Sequence, residues 1–319
     1  MTIPLPFITP EEAITALRAG EVVAIPTETV YGLAANIHSD QAINKIFSLK
    51  NRPHTHPLII HIANLEEITH YAKYIPPYAK RLMQAFWPGP LTFILPKTER
   101  VSDLVTGGQE TVAIRLPAHP LTRYLISAVG HPLAAPSANK FGHLSPTRPE
   151  HVEAEFHSQV RIVDGGICTV GIESTIVDAT HPEHYVILRE GHISKAQLHA
   201  ITHSLATLRD TPLIERAVSG RLKKHYAPRK KLFIFNNVAE LKTILTTHSN
   251  ICVLHLGPPC SQARINIVMP TDPTQYAKAL YHQLRVADQS NCEVIALEAP
   301  PQDPAWLAIH DRLTKASAL

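Results

Sequence analysis

Cysteine is scarce in this chain: four in 319 residues (Cys168, Cys252, Cys260 and Cys292), none in a Cys-x-x-Cys pairing. That spacing argues against both a disulfide framework and a cysteine-built zinc module. An excess of one charge is also missing. Thirty Lys and Arg face 27 Asp and Glu, a net charge of +3, so no global field dictates the partner. No stretch approaches the roughly 18 consecutive apolar residues of a membrane span. Met1 to Phe7 shows no basic segment leading into an apolar one, so no signal peptide and no membrane partner are expected. The expected setting is soluble and cytoplasmic. Walker-type Gly-Lys-Ser/Thr, Gly-x-Gly-x-x-Gly, Gly-x-Ser-x-Gly and His-Glu-x-x-His are all absent. Twenty histidines are scattered along the chain. Although His54, His56 and His61 lie close together, no transition-metal site is expected.

What is present is a globular composition, 45% apolar and 18% charged, in a length that suits about two domains. Up to about Glu190, short β-rich runs alternate with helical patterns. Helices are predicted over Glu11 to Ala19, from a cap at Asp40 to Leu49, and from Thr147, where Thr147 and Glu150 have capping-box spacing. Strands are predicted at Val22 to Ile25, Leu58 to Ile62, Leu91 to Leu95, Thr111 to Leu116, Leu133 to Ala135, Val160 to Val163, Ser174 to Val177 and Val186 to Leu188. From Lys231 the alternation starts afresh, predicting a small, mainly parallel, three-layer domain. Between them, Glu215 to Lys231 carries a net charge of +6, more than the whole chain. The division expected is 1–205, a basic linker over 206–230, and 231–319.

Four segments place polar groups at strand ends. Pro26-Thr27-Glu28-Thr29-Val30-Tyr31-Gly32 turns with three oxygen-bearing side chains in a row; its hydroxyls and carboxylate suit an amino acid's ammonium and hydroxyl groups, or simply a hydrogen-bonded turn. Lys50-x-Arg52 ends a helix, where cations are favoured anyway, and also makes a phosphate clamp. Ser137-Ala138-Asn139, with Ser145-Pro146-Thr147 after it, suits phosphate or ribose contacts or plain turn chemistry. Gly171-Ile172-Glu173-Ser174-Thr175-Ile176-Val177-Asp178 is a glycine turn entering a strand.

In order and together, these segments resemble the YrdC/Sua5 family over about residues 5 to 195. Trp87-Pro88-Gly89-Pro90-Leu91-Thr92 and Ala113-Ile114-Arg115-Leu116-Pro117 also fit. Gly220 to Pro228, ending His225-Tyr226-Ala227-Pro228, and the tail resemble the long Sua5 type. The resemblance implies a twisted, open, mixed α/β sheet with a small Rossmann-like three-layer C-terminal domain. It implies a nucleotidyltransferase that makes L-threonylcarbamoyladenylate and pyrophosphate from L-threonine, bicarbonate or CO2, and ATP. The product would pass to a tRNA threonylcarbamoyl transferase for modification of adenosine 37. Mg2+ would ride on the ATP phosphates, with no protein metal site.

Carried over by motif, Thr29, His61, Arg115, Ala135 and Thr175 would contact threonine, with Arg115 as the carboxylate's partner. Lys50, Arg52, His56, Thr111, Ser137, Asn139, Ser145, Arg189, His225 and Tyr226 would surround ATP, with Lys50 and Arg52 carrying the catalysis. The basic linker would close as a lid. His56, Phe141, Ser219 and Arg221 depart from the family pattern. The alternatives are a double-stranded RNA-binding protein, a YciO-like relative with another activity, and a carbamoyl-adenylate domain like that of hydrogenase maturation proteins. The modest charge disfavours the first as a main role and leaves at most weak RNA binding. The Sua5-like tail disfavours the second, and the scarcity of cysteine the third.

Overall fold

A computed structural model describes residues 6–211 and 225–318. The chain falls into two compact units. One takes the chain up to Phe141, Pro146–Thr169 and the stretch from Glu173 to residue 211; the other takes Gly142–Ser145, Val170–Ile172 and residues 225–318. The linker charge cluster, with the proposed lid and the departures at Ser219 and Arg221, lies mostly outside the described residues.

The first unit is built on β1 (Phe7–Ile8), β2 (Val23–Ile25), β3 (Gly32–Asn36), β4 (Ile59–His61), β5 (Leu91–Pro96), β6 (Thr111–Arg115), β7 (Leu133–Ala134), β8 (Arg161–Val163), β9 (Thr175–Asp178), β10 (His184–Arg189) and β11 (Thr207–Arg209). They form one mixed sheet in the order β1-β8-β2-β3-β7-β4-β6-β5-β9-β10-β11. Its last strand begins inside the stretch expected to be linker. Burial on both faces explains the short apolar runs. Ala24 joins one core cluster while its neighbours Val23 and Ile25 join another, the two-residue alternation of a strand with helices on both sides.

Three elements and two helix starts differ from expectation for local reasons. β3 was hidden because Gly-Leu-Ala-Ala-Asn has no β-branched residue, yet it pairs with both β2 and β7. Pro77–Phe86 and Pro120–Val129 are helices that the strand pattern overlooked; each opens with proline in its first turn. The first-turn cap of the second predicted helix is Ser39, whose hydroxyl accepts from Ala42 N–H, and Asp40 stands inside. The helix expected from Thr147 is Pro149–Phe156, and Arg148 occupies its cap position without a side-chain hydrogen bond. Thr147 instead donates its N–H to His151 Nδ1 at 3.1 Å, so the capping box does not form.

The second unit has a parallel sheet of β12 (Lys231–Phe235), β13 (Ile251–His255), β14 (Ile265–Val268) and β15 (Val294–Glu298), ordered β12-β15-β13-β14. Helices Val238–Thr247, Pro273–Gln289 and Leu307–Ala316 complete it. No helix among the described residues is long and apolar enough to cross a membrane.

Candidate functional site

Strand register assembles the first part of the site. β4 and β6 run parallel with His61 opposite Arg115. β9 enters beside the start of β5, with Thr175 opposite Leu91. His61, Arg115 and Thr175 therefore reach one end of the sheet from three strands.

Arg115 is almost fully buried and spends its guanidinium on three partners. Its Nε donates to Gly89 O at 3.2 Å and its Nη1 to Thr29 Oγ1 at 2.9 Å. Its Nη2 lies 2.6 Å from Glu28 Oε1. Gly89 must lack a side chain here, because a Cβ would stand 2.2 Å from Phe86 O. Thr29 is fixed in turn: Thr27 Oγ1 lies 2.8 Å from its hydroxyl and accepts from the N–H groups of Thr29 and Val30. The hydrogen-bonded turn thus also carries Glu28 and Thr29 to Arg115.

Burial and the nearby Arg115 push the His61 imidazole down to about 3, so the ring is neutral. Burial also pushes the Cys168 thiol, which feels Glu28 and Arg115, up to about 12 and keeps it protonated. Ala135 follows β7 and donates its N–H to Ile59 O at 3.0 Å. The Thr175 hydroxyl donates to Ile193 O at 2.7 Å and accepts from Ile193 N–H at 3.1 Å, so it holds the loop that follows β10.

The second part of the site gathers the cations. Asp40–Lys50 ends with Asn51 in the left-handed region at φ 52°, and Arg52 N–H reaches back to Phe47 O at 3.0 Å. This reversal delivers Lys50 and Arg52 to the same turn. Lys50 Nζ donates to Ser137 O at 2.5 Å and to Asn139 O at 2.6 Å, clasping the Ser-Ala-Asn segment. Burial and the neighbouring Arg52 hold its ammonium well below the usual lysine range. Arg52 donates to the carbonyls of His56 and Pro57 and lies 5.5 Å from the Phe141 ring centroid. Phe141 also meets His56 edge to face at 5.2 Å, so the two departures in this unit are neighbours. Burial and Arg52 hold His56 below its ordinary value. Thr111 opens β6 and is buried. Arg189 closes β10, donating from Nε to Ser174 O at 3.0 Å and from Nη2 to Ser174 Oγ at 3.1 Å.

Ser145, His225 and Tyr226 belong to the second unit and are buried. Tyr226, at φ 58°, stacks on Tyr281 with centroids 5.9 Å apart and lies 5.0 Å from the Arg312 guanidinium. Ala227 N–H donates to Gly142 O at 2.9 Å, joining this segment to the one that holds Ser145. The sequence suggested a carboxylate in the Thr-Glu-Thr run for an ammonium without singling out Glu28, which the structure places against Arg115. Together, the first unit offers a buried Arg–Glu–Thr constellation and a separate pair of cations over a loop of carbonyls. Such a set can hold a small zwitterion and an anionic group.

Similarity to known proteins divides the chain earlier than the structure does, leaving helix Lys195–Thr202 and β11 on the C-terminal side. Residues 15–191 match the Sua5-YciO-YrdC family model, described as telomere recombination, and residues 193–318 match the C-terminal domain of threonylcarbamoyl-AMP synthase. Threonylcarbamoyl-AMP synthase of Pyrococcus abyssi is 35% identical, covering 94% of this chain and 92% of its own. That of Bacillus subtilis is 38% identical, covering 96% and 92%. The structure of P. abyssi Sua5 complexed with L-threonine superposes with a TM-score of 0.87 at 34% identity, over 97% of this chain and 94% of that one.

Proposed function

From the premise that this chain belongs to the Sua5-YciO-YrdC family and ends in the C-terminal domain of threonylcarbamoyl-AMP synthases, we propose that it is such a synthase. It condenses L-threonine, bicarbonate or CO2, and ATP to threonylcarbamoyl-AMP and pyrophosphate, a nucleotidyl transfer. The observation that carries this reading is resemblance over nearly the whole chain, in both units, to relatives bearing that one name. The product is an activated acyl adenylate, which suits delivery to a tRNA-modifying transferase.

Within this reading, Arg115 takes the threonine carboxylate in bidentate fashion. Thr29, His61, Ala135 and Thr175 close around the rest of the amino acid. Lys50 and Arg52 stabilise the phosphates as pyrophosphate leaves, and His56, Thr111, Ser137, Asn139 and Arg189 complete the nucleotide's surroundings in the first unit. No protein nucleophile is needed, because the threonine carbamate itself attacks the α-phosphorus; the protein contributes positioning and charge. Among the described residues no three His, Cys, Asp or Glu side chains gather as a metal site. Mg2+ would come with ATP, held by its phosphates and water.

The test is pyrophosphate release from ATP and Mg2+, with threonine and bicarbonate omitted in turn. Release should require both. Release indifferent to threonine would overturn the reading.

A further inference from the structure

Three buried polar atoms stand together without a hydrogen bond: Glu28 Oε1, Glu28 Oε2 and Arg115 Nη2. Their mutual ion pair spans 2.6 Å, and the two side chains are only 8% and 5% exposed. Buried carboxylates ordinarily collect several donors, since an unused lone pair out of water is costly. A pair left this bare is matched by a ligand that brings a carboxylate for the arginine and an ammonium for the glutamate. An α-amino acid does both on adjacent atoms.

We infer that Glu28 receives the substrate's ammonium as Arg115 turns to its carboxylate, and then accepts the proton that frees the amine for carboxylation. This rests on the synthase reading and deepens it. The exchange keeps charge balanced throughout: one buried Arg–Glu pair becomes two pairs with a zwitterion between them. The proton balance closes as well. The ammonium gives one proton to the Glu28 carboxylate, leaving the amine with its lone pair. Protonated Glu28 returns that proton to bicarbonate, whose C–O bond breaks to give CO2 and water. The amine lone pair attacks the CO2 carbon, one C=O π pair moves onto oxygen, and the second N–H proton leaves to solvent.

The other titratable groups facing this pair are held silent. His61 is neutral above about pH 3, and the Cys168 thiol is protonated below about pH 12.

Glu28→Gln keeps the size and removes the base. Isothermal titration with L-threonine alone should show binding weakened at least tenfold, while 2,3-dihydroxybutanoate, which lacks the ammonium, binds no worse than to wild type. In the pyrophosphate assay at pH 7, kcat should fall about 100-fold or more. It should then climb about tenfold per pH unit as the free amine accumulates, a rescue wild type does not show. Glu28→Asp keeps the charge; it should bind threonine and retain the wild-type pH profile at reduced kcat, and it carries the test if the glutamine variant does not fold.

Wild-type threonine affinity and pH profile in Glu28→Gln would overturn the inference while leaving the synthase reading intact. The inference fails equally if Glu28→Asp acquires the amine-like pH dependence. Glu28-dependent threonine binding without pyrophosphate release would sink the synthase reading and spare the inference. A wild-type chain that binds no threonine sinks both.

Discussion

Lys50 carries its ammonium to a place where only 1% of the residue meets solvent, and two carbonyls stand in for water. Charge-assisted contacts of this kind contribute about 1.5–3 kcal/mol each. We therefore expect Lys50→Ala and Arg52→Ala each to lower threonine-dependent pyrophosphate release by roughly 10- to 150-fold. Wild-type rates in both would remove them from the phosphate site. Lys50→Ala should in addition lower the melting temperature, because it leaves the carbonyls of Ser137 and Asn139 without their donor. Arg115→Lys loses the planar fork, so the threonine KM should rise far more than the ATP KM; equal rises would assign Arg115 to the nucleotide. His61 adds a pH dependence. Its folded value near 3 lies below the ordinary histidine value of 6.5, so between the two the unfolded chain binds a proton that the folded chain refuses. Stability is fully present above about pH 6.5 and falls as pH drops toward 3, by up to about 1.4 kcal/mol per pH unit. Urea denaturation of His61→Gln should show a shallower loss over that window; an unchanged acid limb would mean the ring takes its proton while folded. At this scale the meeting of Lys50 and Arg52 on one turn was legible, because two cations at motif spacing announce themselves. The clasp of Lys50 on Ser137 and Asn139 was not, since carbonyls 87 and 89 residues away leave no mark in the sequence.

The packing of the loop after β10 against the start of β9 shows how an element can be held by one hydroxyl and one missing side chain. Thr175 bonds both backbone groups of Ile193, while a Cβ on Gly191 would stand 2.3 Å from Thr175 N and 2.8 Å from Glu173 O, both backbone atoms. Gly191→Ala should force the start of β9 to move, loosening the Ser174 contacts of Arg189. The expected cost is about 1–3 kcal/mol, read as a lowered melting temperature with a raised ATP KM. An unshifted melting point would show that the loop yields freely. Elements with β-branched runs, such as β4, β6 and β10, were legible, as were β13 and β15. β3 and the helix over Pro120–Val129 were not. The first is made of small residues, and the second draws its burial from the helix Pro10–Arg18 across the sheet face, a partner over a hundred residues earlier.

For the molecule as a whole, the strand–helix rhythm restarts at Lys231, and the described chain falls into two units. That residues 142–145 and 170–172 belong to the second unit was not legible, since each is only a few residues of ordinary loop composition. Ligand linkage offers a check at this scale. Threonine at a hundred times its Kd should stabilise the folded chain by about 2.7 kcal/mol, measurable as a rise in the thermal midpoint, and 2,3-dihydroxybutanoate at equal concentration should give less. Equal shifts would leave the ammonium without a recognised partner.

The strand order of the large sheet also sets a timetable. Val23 pairs with Arg161, and Leu91 with Thr175, whereas all four strands of the smaller sheet arise between residues 231 and 298. A ribosome adding about 5–20 residues per second keeps β2 waiting roughly 7–30 seconds for β8. During that interval the nascent chain displays a bare apolar edge, so its hazard of aggregation is governed by the tempo of translation as much as by the stability of the finished fold.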